Sequence, residues 1–147
     1  ETGLTRAARA ALPPTVPHTD AAFNVAAVGG LLLGLHTGDP VLIGAGMHDR
    51  LHEPYRARLF PHLEAMSAAG RAAGALGACL SGAGPSVLAL TEPHRSEAVM
   101  TAFRATAAAM GVTGETRTLA VAPGGAEIVD EWGAVNRVVA RRSAPVG

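Results

Sequence analysis

A glycine-rich turn between two short apolar runs constrains the fold of this chain more than any other feature. Residues 81–86 read Ser-Gly-Ala-Gly-Pro-Ser, with Leu80 before them and a Val-Leu-Ala-Leu run after them. Glycine adopts positive φ without a Cβ penalty, and proline fixes the exit from the turn. The pattern therefore predicts two short strands, residues 76–80 and 86–91, joined by a tight turn.

The serine hydroxyls and the N–H groups of this turn suit an anion or a second glycine-rich loop. Familiar motifs are excluded, because Val87 stands where a dinucleotide fingerprint needs its third glycine. A Walker loop needs a lysine, and all 12 basic residues are arginine. Ser81 is a poor candidate nucleophile, because a hydrolase elbow needs glycines where Cys79 and Ala83 stand.

Composition indicates one globular domain. The chain has 147 residues, of which 48% are hydrophobic, and a formal net charge of zero. Aromatic residues make up 3%, so small residues should dominate the packing. No basic face for nucleic acid is visible, and we expect no membrane or export segment. Cys79, the one cysteine, is expected to be a buried packing residue in a reducing, cytoplasmic protein.

The order of the predicted elements indicates an α+β fold. We expect one antiparallel sheet with helices packed on one face, because helices are followed by a β-β-α-β-β pattern. Thr19 or Asp20 should cap the second helix, which should be the longest and buried. Gly38 should end that helix, and Asp39 should cap the next. The predicted helices cover residues 5–12, 18–35, 40–48, 59–73 and 96–110, and the last two strands residues 115–121 and 126–129.

The glycine turn in its context, LSGAGPSVLAL, resembles the C-terminal motif of the GHMP small-molecule kinase superfamily. Three further segments agree in order and spacing: TRAARAALP at 5–13, VPHTDAAFN at 16–24 and DRLHEPYRARLFP at 49–61. Within the superfamily the homoserine kinases are most similar. The resemblance covers residues 1 to about 130 and implies a ferredoxin-like C-terminal domain, followed by a polar, basic tail at 131–147 that we expect to be frayed.

The resemblance also implies a function. Homoserine kinases transfer the γ-phosphate of ATP to the homoserine hydroxyl in threonine biosynthesis, with Mg²⁺ as the accompanying ion. Their main ATP loop and Mg²⁺-binding acidic residue belong to an N-terminal half that this sequence lacks. We therefore expect the chain alone to be inactive and to pair with that half. Apolar surface left by the absent half also makes a homodimer an expected partner arrangement.

Arginines are the first candidates for binding the substrate carboxylate, because a planar guanidinium can grip it with two parallel hydrogen bonds. By motif position, Arg9 and Arg56 resemble the family's carboxylate-binding pair, and Thr5 resembles a hydroxyl near the reacting centre. Residue chemistry alone leaves each arginine open as a solvated surface charge. The positions expected to support the phosphates through backbone N–H groups are Ser81, Gly82, Ala83, Gly84 and Ser86.

Polar residues elsewhere have simpler explanations. His48 and His52 stand one helical turn apart, but no third ligand follows at similar spacing, so we predict no metal site. Asp49 is expected to cap the helix after His52. Asp20 and Asn24 are interpreted as a cap and a buried amide, with a substrate-side role as the alternative.

Two other functions stay open on sequence alone. Another kinase of the superfamily would share the glycine motif, although a substrate without a carboxylate would not need Arg9 and Arg56. A non-catalytic binding or oligomerisation module is also compatible with the β-β-α-β-β pattern. The sequence identifies no catalytic base.

Overall fold

The computed structural model describes residues 3–124 and, beyond them, residues 128–129 and 135–136. These residues form an α+β fold, as predicted. The helices are α1 Gly3–Ala10, α2 His18–Thr37, α3 Pro40–Gly46, α4 Glu53–Arg56, α5 His62–Ala72 and α6 Ser96–Ala109. The strands are β1 Gly77–Leu80, β2 Val87–Leu90, β3 Ile128–Val129 and β4 Val135–Asn136.

The connection between α2 and α3 follows the capping residues in the sequence. Gly38 ends α2 in the left-handed region, at φ 74°. The Asp39 carboxylate then accepts hydrogen bonds from the N–H groups of Val41, at 2.8 Å, and Leu42, at 3.1 Å. Pro40 occupies the first turn, where its missing N–H is harmless. Both predicted boundaries are confirmed.

Glycines let α2 and α3 pack backbone against backbone. A Cβ on Gly34 would lie 2.7 Å from the amide nitrogen of Ile43, and one on Gly46 would lie 2.6 Å from that of Leu31. Such distances leave no room for a side chain. The prediction that small residues dominate the packing is confirmed at this contact.

The predicted glycine hairpin is confirmed. β1 and β2 pair antiparallel, with Gly77 opposite Leu90 and Leu80 opposite Val87. One face of the hairpin packs on α5 and α6. The core on that face consists of two clusters, Phe60, Leu63 and Leu80 in the first and Ala75, Val99 and Phe103 in the second.

Helices are not confined to that face. A Cβ on Gly77 would lie 2.6 Å from the sulfur of Met47, so the residue that follows α3 covers the opposite face of β1. Leu88 points to the same side as Gly77, since side chains alternate along paired strands, and it is half exposed. The predicted one-sided helical layer therefore describes α5 and α6 but not α3.

The prediction of a strand over residues 115–121 is wrong. The segment follows α6 without strand pairing. A strand requires a hydrogen-bonding neighbour, and in the described sheet β2 pairs with β1 alone. The two described hairpins are separate, with β3 paired to β4, so the predicted single sheet is not formed. Residues 126–127 and most of the predicted tail lie outside the described residues.

Helix α2 is the longest described helix, as predicted, but the expectation that it is buried is wrong. Its single buried residue is Gly34, while Val25 is 76% and Leu32 63% exposed. Pro17 takes the N-cap position without a side-chain cap, so the predicted capping by Thr19 or Asp20 is also wrong. Neither α2 nor another helix of the described residues is long and apolar enough to cross a membrane.

The Asp49 carboxylate fixes the start of α4. One oxygen accepts hydrogen bonds from the N–H groups of His52, at 2.6 Å, and Glu53, at 2.7 Å. The other accepts from the Asn24 side-chain amide at 2.7 Å, and the Asn24 oxygen accepts from the Arg50 N–H at 2.9 Å. Asp49 thus caps α4, as predicted, and ties it to α2.

We expect Gly46→Ala to destabilise the chain by about 1–3 kcal/mol, because the new methyl group would press on the backbone of Leu31. Gly29→Ala is the matched control, since no atom lies within 4 Å of a Cβ there. It should stabilise the helix by about 0.5–1 kcal/mol. Urea unfolding measures both changes, and equal effects of the two substitutions would contradict the close packing of α2 and α3.

The pKa of Asp49 provides a test of its role in capping α4. Burial raises this pKa, but the hydrogen bonds from Glu53, His52 and Asn24 outweigh burial and lower it below the ordinary value of 3.8. Because the folded pKa is depressed, the stabilisation is complete above about pH 5 and is lost as pH falls through 3.8 to the folded pKa. Asp49→Asn should lower stability at pH 7 by about 1–3 kcal/mol. It should also flatten the dependence of the unfolding midpoint on pH between about 5 and 2, and an unchanged profile would contradict this role.

Candidate functional site

The glycine loop at residues 81–86 closes on itself. The Ser81 N–H donates to the Ser86 carbonyl at 2.8 Å, and the Gly84 N–H donates to the Ser81 carbonyl at 3.1 Å. Gly82 and Gly84 have φ values of 59° and 84°, where a side chain would be strained. The loop is therefore a compact turn whose shape depends on both glycines.

The two glycines have different surroundings. A Cβ on Gly84 would lie 2.5 Å from the Phe60 ring, so this side of the loop is packed against the residues that lead into α5. His62 Nε2 lies 3.0 Å from the Pro85 carbonyl oxygen and holds the same side. At Gly82, by contrast, no atom lies within 4 Å of a Cβ. That side of the loop has room for a ligand.

The loop also has unpaired backbone donors. Within residues 3–124 the N–H groups of Gly82, Ala83 and Ser86 form no hydrogen bond. Ser81, Gly82 and Ser86 are exposed, and Ala83 and Gly84 are half-buried. Successive unpaired N–H groups in a tight turn can bind an anion. The five predicted phosphate-supporting positions therefore lie together, and three of them offer a free backbone donor.

Arg56, at the end of α4, joins this loop to α1. Its side chain is buried, with the residue 9% exposed. Arg56 Nε donates to the Ala8 carbonyl at 3.1 Å, and one terminal nitrogen donates to the Gly82 carbonyl at 3.0 Å. One side chain thus holds two chain segments that are more than seventy positions apart in sequence.

The charge of Arg56 is not neutralised by a carboxylate in the described part of the chain. Buried charges are ordinarily paired, because removing an ion from water is unfavourable. Glu53, one turn earlier on α4, instead accepts a short hydrogen bond from the Leu80 N–H. A guanidinium has five N–H donors, of which Arg56 uses two here. The remaining donors suit an anion such as a carboxylate or phosphate.

Thr5 and Arg9 both lie on α1, one helical turn apart, as predicted. Thr5 is half-buried and Arg9 is exposed. Ala8, between them, is fully buried and accepts the hydrogen bond from Arg56. Helix α1, which carries Thr5 and Arg9, is therefore bonded to the same Arg56 guanidinium as the glycine loop.

The other titratable residues near the site have structural roles. His52 Nε2 lies 3.7 Å from Asp49 Oδ1, and both oxygens of Asp49 already accept hydrogen bonds. In the described residues no three His, Cys, Asp or Glu side chains are grouped to hold a metal ion. Burial raises the pKa of the half-buried Cys79 thiol, and the charges of Glu53 and Asp49 raise it further. A protonated thiol is a poor nucleophile, which agrees with a packing role.

Asp20 and Asn24 are joined to the same loop as Asp49. Asp20 forms an ion pair with Arg50 at 3.6 Å, and Asn24 bonds Asp49 as described above. Both contacts are structural. Asn24 is half-buried rather than buried, although its amide is hydrogen-bonded, and the interpretation of Asp20 as a cap is wrong.

Sequence reasoning missed three contacts that position the loop. They are made by Glu53, Phe60 and His62. All three residues lie in or next to the segment at 49–61 that was matched as a motif. Motif position gave no role for them, because their partners are backbone atoms of the distant hairpin.

Comparison with known proteins agrees with this architecture. The family described as GHMP kinases C terminal matches residues 31–109, more than half of the chain. The homoserine kinase of Gloeobacter violaceus is 51% identical over 102 residues, covering 69% of this chain and 34% of that protein. The homoserine kinase of a Synechococcus strain is 42% identical over 127 residues, covering 86% of this chain and 42% of that protein.

A solved structure gives the same result in three dimensions. The crystal structure of homoserine kinase from Cytophaga hutchinsonii matches with a TM-score of 0.69 and 35% sequence identity. The match covers 75% of this chain and 35% of that protein. The chain thus spans between about a third and two fifths of the length of these relatives. It belongs to the GHMP kinase C-terminal domain family and resembles the C-terminal portion of homoserine kinases.

Proposed function

We propose that this chain is the C-terminal part of a homoserine kinase, which transfers the γ-phosphate of ATP to the hydroxyl of L-homoserine in threonine biosynthesis. The observation that carries the proposal is the buried Arg56 guanidinium, which lacks a carboxylate partner in the described residues and bonds both α1 and the glycine loop. Its environment suits the anionic end of an amino-acid substrate. The names of the relatives support the choice of homoserine.

Each candidate residue has a distinct role in this proposal. Arg56 and Arg9 bind the homoserine carboxylate, and Thr5 places a hydroxyl near the reacting centre. The free N–H groups of Gly82, Ala83 and Ser86 help to orient the phosphates. Such catalysis depends on positioning and on stabilising charge.

The rest of the site belongs to a partner segment. ATP, with Mg²⁺, supplies the phosphoryl group, and their principal ligands are assigned to an N-terminal half outside this sequence. The exposed side chains of α2, including Val25 and Leu32, offer apolar surface for that half or for a second copy in a homodimer. A cytoplasmic location and a domain boundary near residue 130 are part of the same proposal.

A chimera tests the substrate assignment. In this chimera, residues 1–130 replace the matching part of the Gloeobacter violaceus homoserine kinase. The isolated chain, measured in parallel, should show no turnover of ATP and homoserine. In the chimera, Arg9→Ala and Arg56→Lys should raise the KM for homoserine about tenfold to a hundredfold, because a charged hydrogen bond is lost. The KM for ATP should change little. Steady-state kinetics with each substrate varied in turn give both values.

Arg58→Ala is the control, since Arg58 is exposed and two positions from Arg56. Its KM for homoserine should match that of the unaltered chimera. An unchanged homoserine KM in Arg9→Ala and Arg56→Lys would remove the substrate assignment, and turnover by the isolated chain would disprove the expected dependence on the N-terminal half.

A further inference from the structure

Two side chains reach the glycine loop from outside it, and each bonds a carbonyl of the loop. Arg56, at the end of α4, donates to the Gly82 carbonyl at 3.0 Å. His62, at the start of α5, places its Nε2 atom 3.0 Å from the Pro85 carbonyl oxygen. A carbonyl oxygen only accepts, so Nε2 must carry the hydrogen in this contact. The loop is therefore held from both sides through its carbonyl groups.

The held carbonyls and the unpaired N–H groups of the loop belong to the same peptide groups. A peptide group is planar, and in the trans form its C=O and N–H point in opposite directions. The Ser81 carbonyl, bonded within the loop, is thus opposite the unpaired Gly82 N–H. The Gly82 carbonyl is opposite the Ala83 N–H in the same way. The Pro85 carbonyl is opposite the Ser86 N–H. Each unpaired donor is therefore oriented by a hydrogen bond on its own peptide group.

The remaining carbonyls between residues 81 and 85 show the converse. Those of Ala83 and Gly84 accept no hydrogen bond from the described residues beyond α1. Their peptide groups also carry no unpaired donor, because the Gly84 N–H is bonded to Ser81 and Pro85 has no N–H. Hydrogen bonds to the loop carbonyls thus occur where they orient an unpaired donor.

The position of His62 is itself restricted. The residue is half-buried, and its ring lies against that of Phe60, with the centroids 6.1 Å apart and the planes tilted by 59°. Aromatic rings favour such tilted contacts. Phe60 is only 3% exposed, and its ring also packs on Gly84 of the loop. The imidazole therefore bonds the Pro85 carbonyl from a fixed place on α5.

We propose that His62 is a positioning residue for the phosphates of ATP, because its hydrogen bond to the Pro85 carbonyl orients the Ser86 N–H that binds them. Donors that are oriented before the ligand arrives need no reorganisation when it binds. The bond to the carbonyl also polarises the peptide group and strengthens its N–H as a donor. The inference rests on the proposed function, since it concerns the same loop. Arg56 is also assigned to the homoserine carboxylate, so His62 provides the cleaner test of the phosphate side.

Two substitutions in the chimera separate the N–H donor of His62 from its ring. His62→Phe keeps a ring against Phe60 but removes the donor, so the KM for ATP should rise about threefold to tenfold, as expected for one uncharged hydrogen bond. His62→Gln keeps a donor but loses the ring, so the KM for ATP should stay within about twofold of that of the unaltered chimera. The KM for homoserine should stay unchanged in both variants. Steady-state kinetics with each substrate varied in turn give these values.

His94→Ala is the control, since His94 is exposed and pairs with Glu92 rather than with the loop. It should leave both KM values unchanged. Calorimetric titration with ATP and Mg²⁺ gives the Kd of each variant without turnover, and urea unfolding gives its midpoint. In His62→Phe the Kd for ATP should rise by the same factor as the KM, with little change in the midpoint.

The outcomes separate this inference from the proposed function. An unchanged Kd for ATP in His62→Phe would overturn the role of His62, and so would equal increases in His62→Phe and His62→Gln. A rise in both KM values together with a lower unfolding midpoint would reduce His62 to a stabilising residue and overturn its positioning role. An unchanged homoserine KM in the Arg9 and Arg56 variants would remove the substrate assignment and leave the role of His62 standing. Absence of ATP binding by the folded, unaltered chimera would overturn both.

Discussion

The arrangement of the candidate site depends on the buried side chain of Arg56. Its guanidinium bonds the Ala8 carbonyl of α1 and the Gly82 carbonyl of the glycine loop, and it carries a charge that no described carboxylate neutralises. The same group therefore holds the two segments in place and makes their junction attractive to an anion. Lysine could supply the charge but not two hydrogen bonds in different directions from a planar group.

The elements around Arg56 restrict its position. Asp49 caps α4 and connects it to Asn24 of α2, and Glu53 connects the same helix to the Leu80 N–H of β1. Close glycine contacts then fix α2 against α3. Helix α4, four residues long, is thus bonded through Arg56 to α1 and the glycine loop and through Glu53 to β1. A helix this short would not be stable alone, so these contacts define its place.

Local signals in the sequence predicted much of this fold. The caps at Gly38 and Asp39, the glycine hairpin and the capping role of Asp49 each depend on neighbouring residues, and each is found. Failures occur where the outcome depends on distant partners. Residues 115–121 have a strand pattern without an adjacent strand, and the apolar face of α2 has no element over it within the described residues.

The candidate site shows the same division. Motif similarity selected Arg56 and the loop residues, but the sequence could not reveal that Arg56 bonds two backbone carbonyls, since Ala8 and Gly82 carry no side-chain signal for it. The contacts of Phe60 and His62 with the loop escaped prediction for the same reason. Side-chain bonds to distant backbone atoms require the tertiary structure.

Hydrogen exchange at Arg56 Nε, measured by NMR, tests whether the guanidinium is buried and bonded to the Ala8 carbonyl of α1. Arg58, exposed and two residues away, is the internal reference. The structure predicts that the Arg56 Nε–H exchanges about tenfold or more slowly than that of Arg58, because it is shielded and donates to the Ala8 carbonyl. Equal exchange rates at the two arginines would show that the Arg56 Nε–H is neither shielded nor bonded to Ala8.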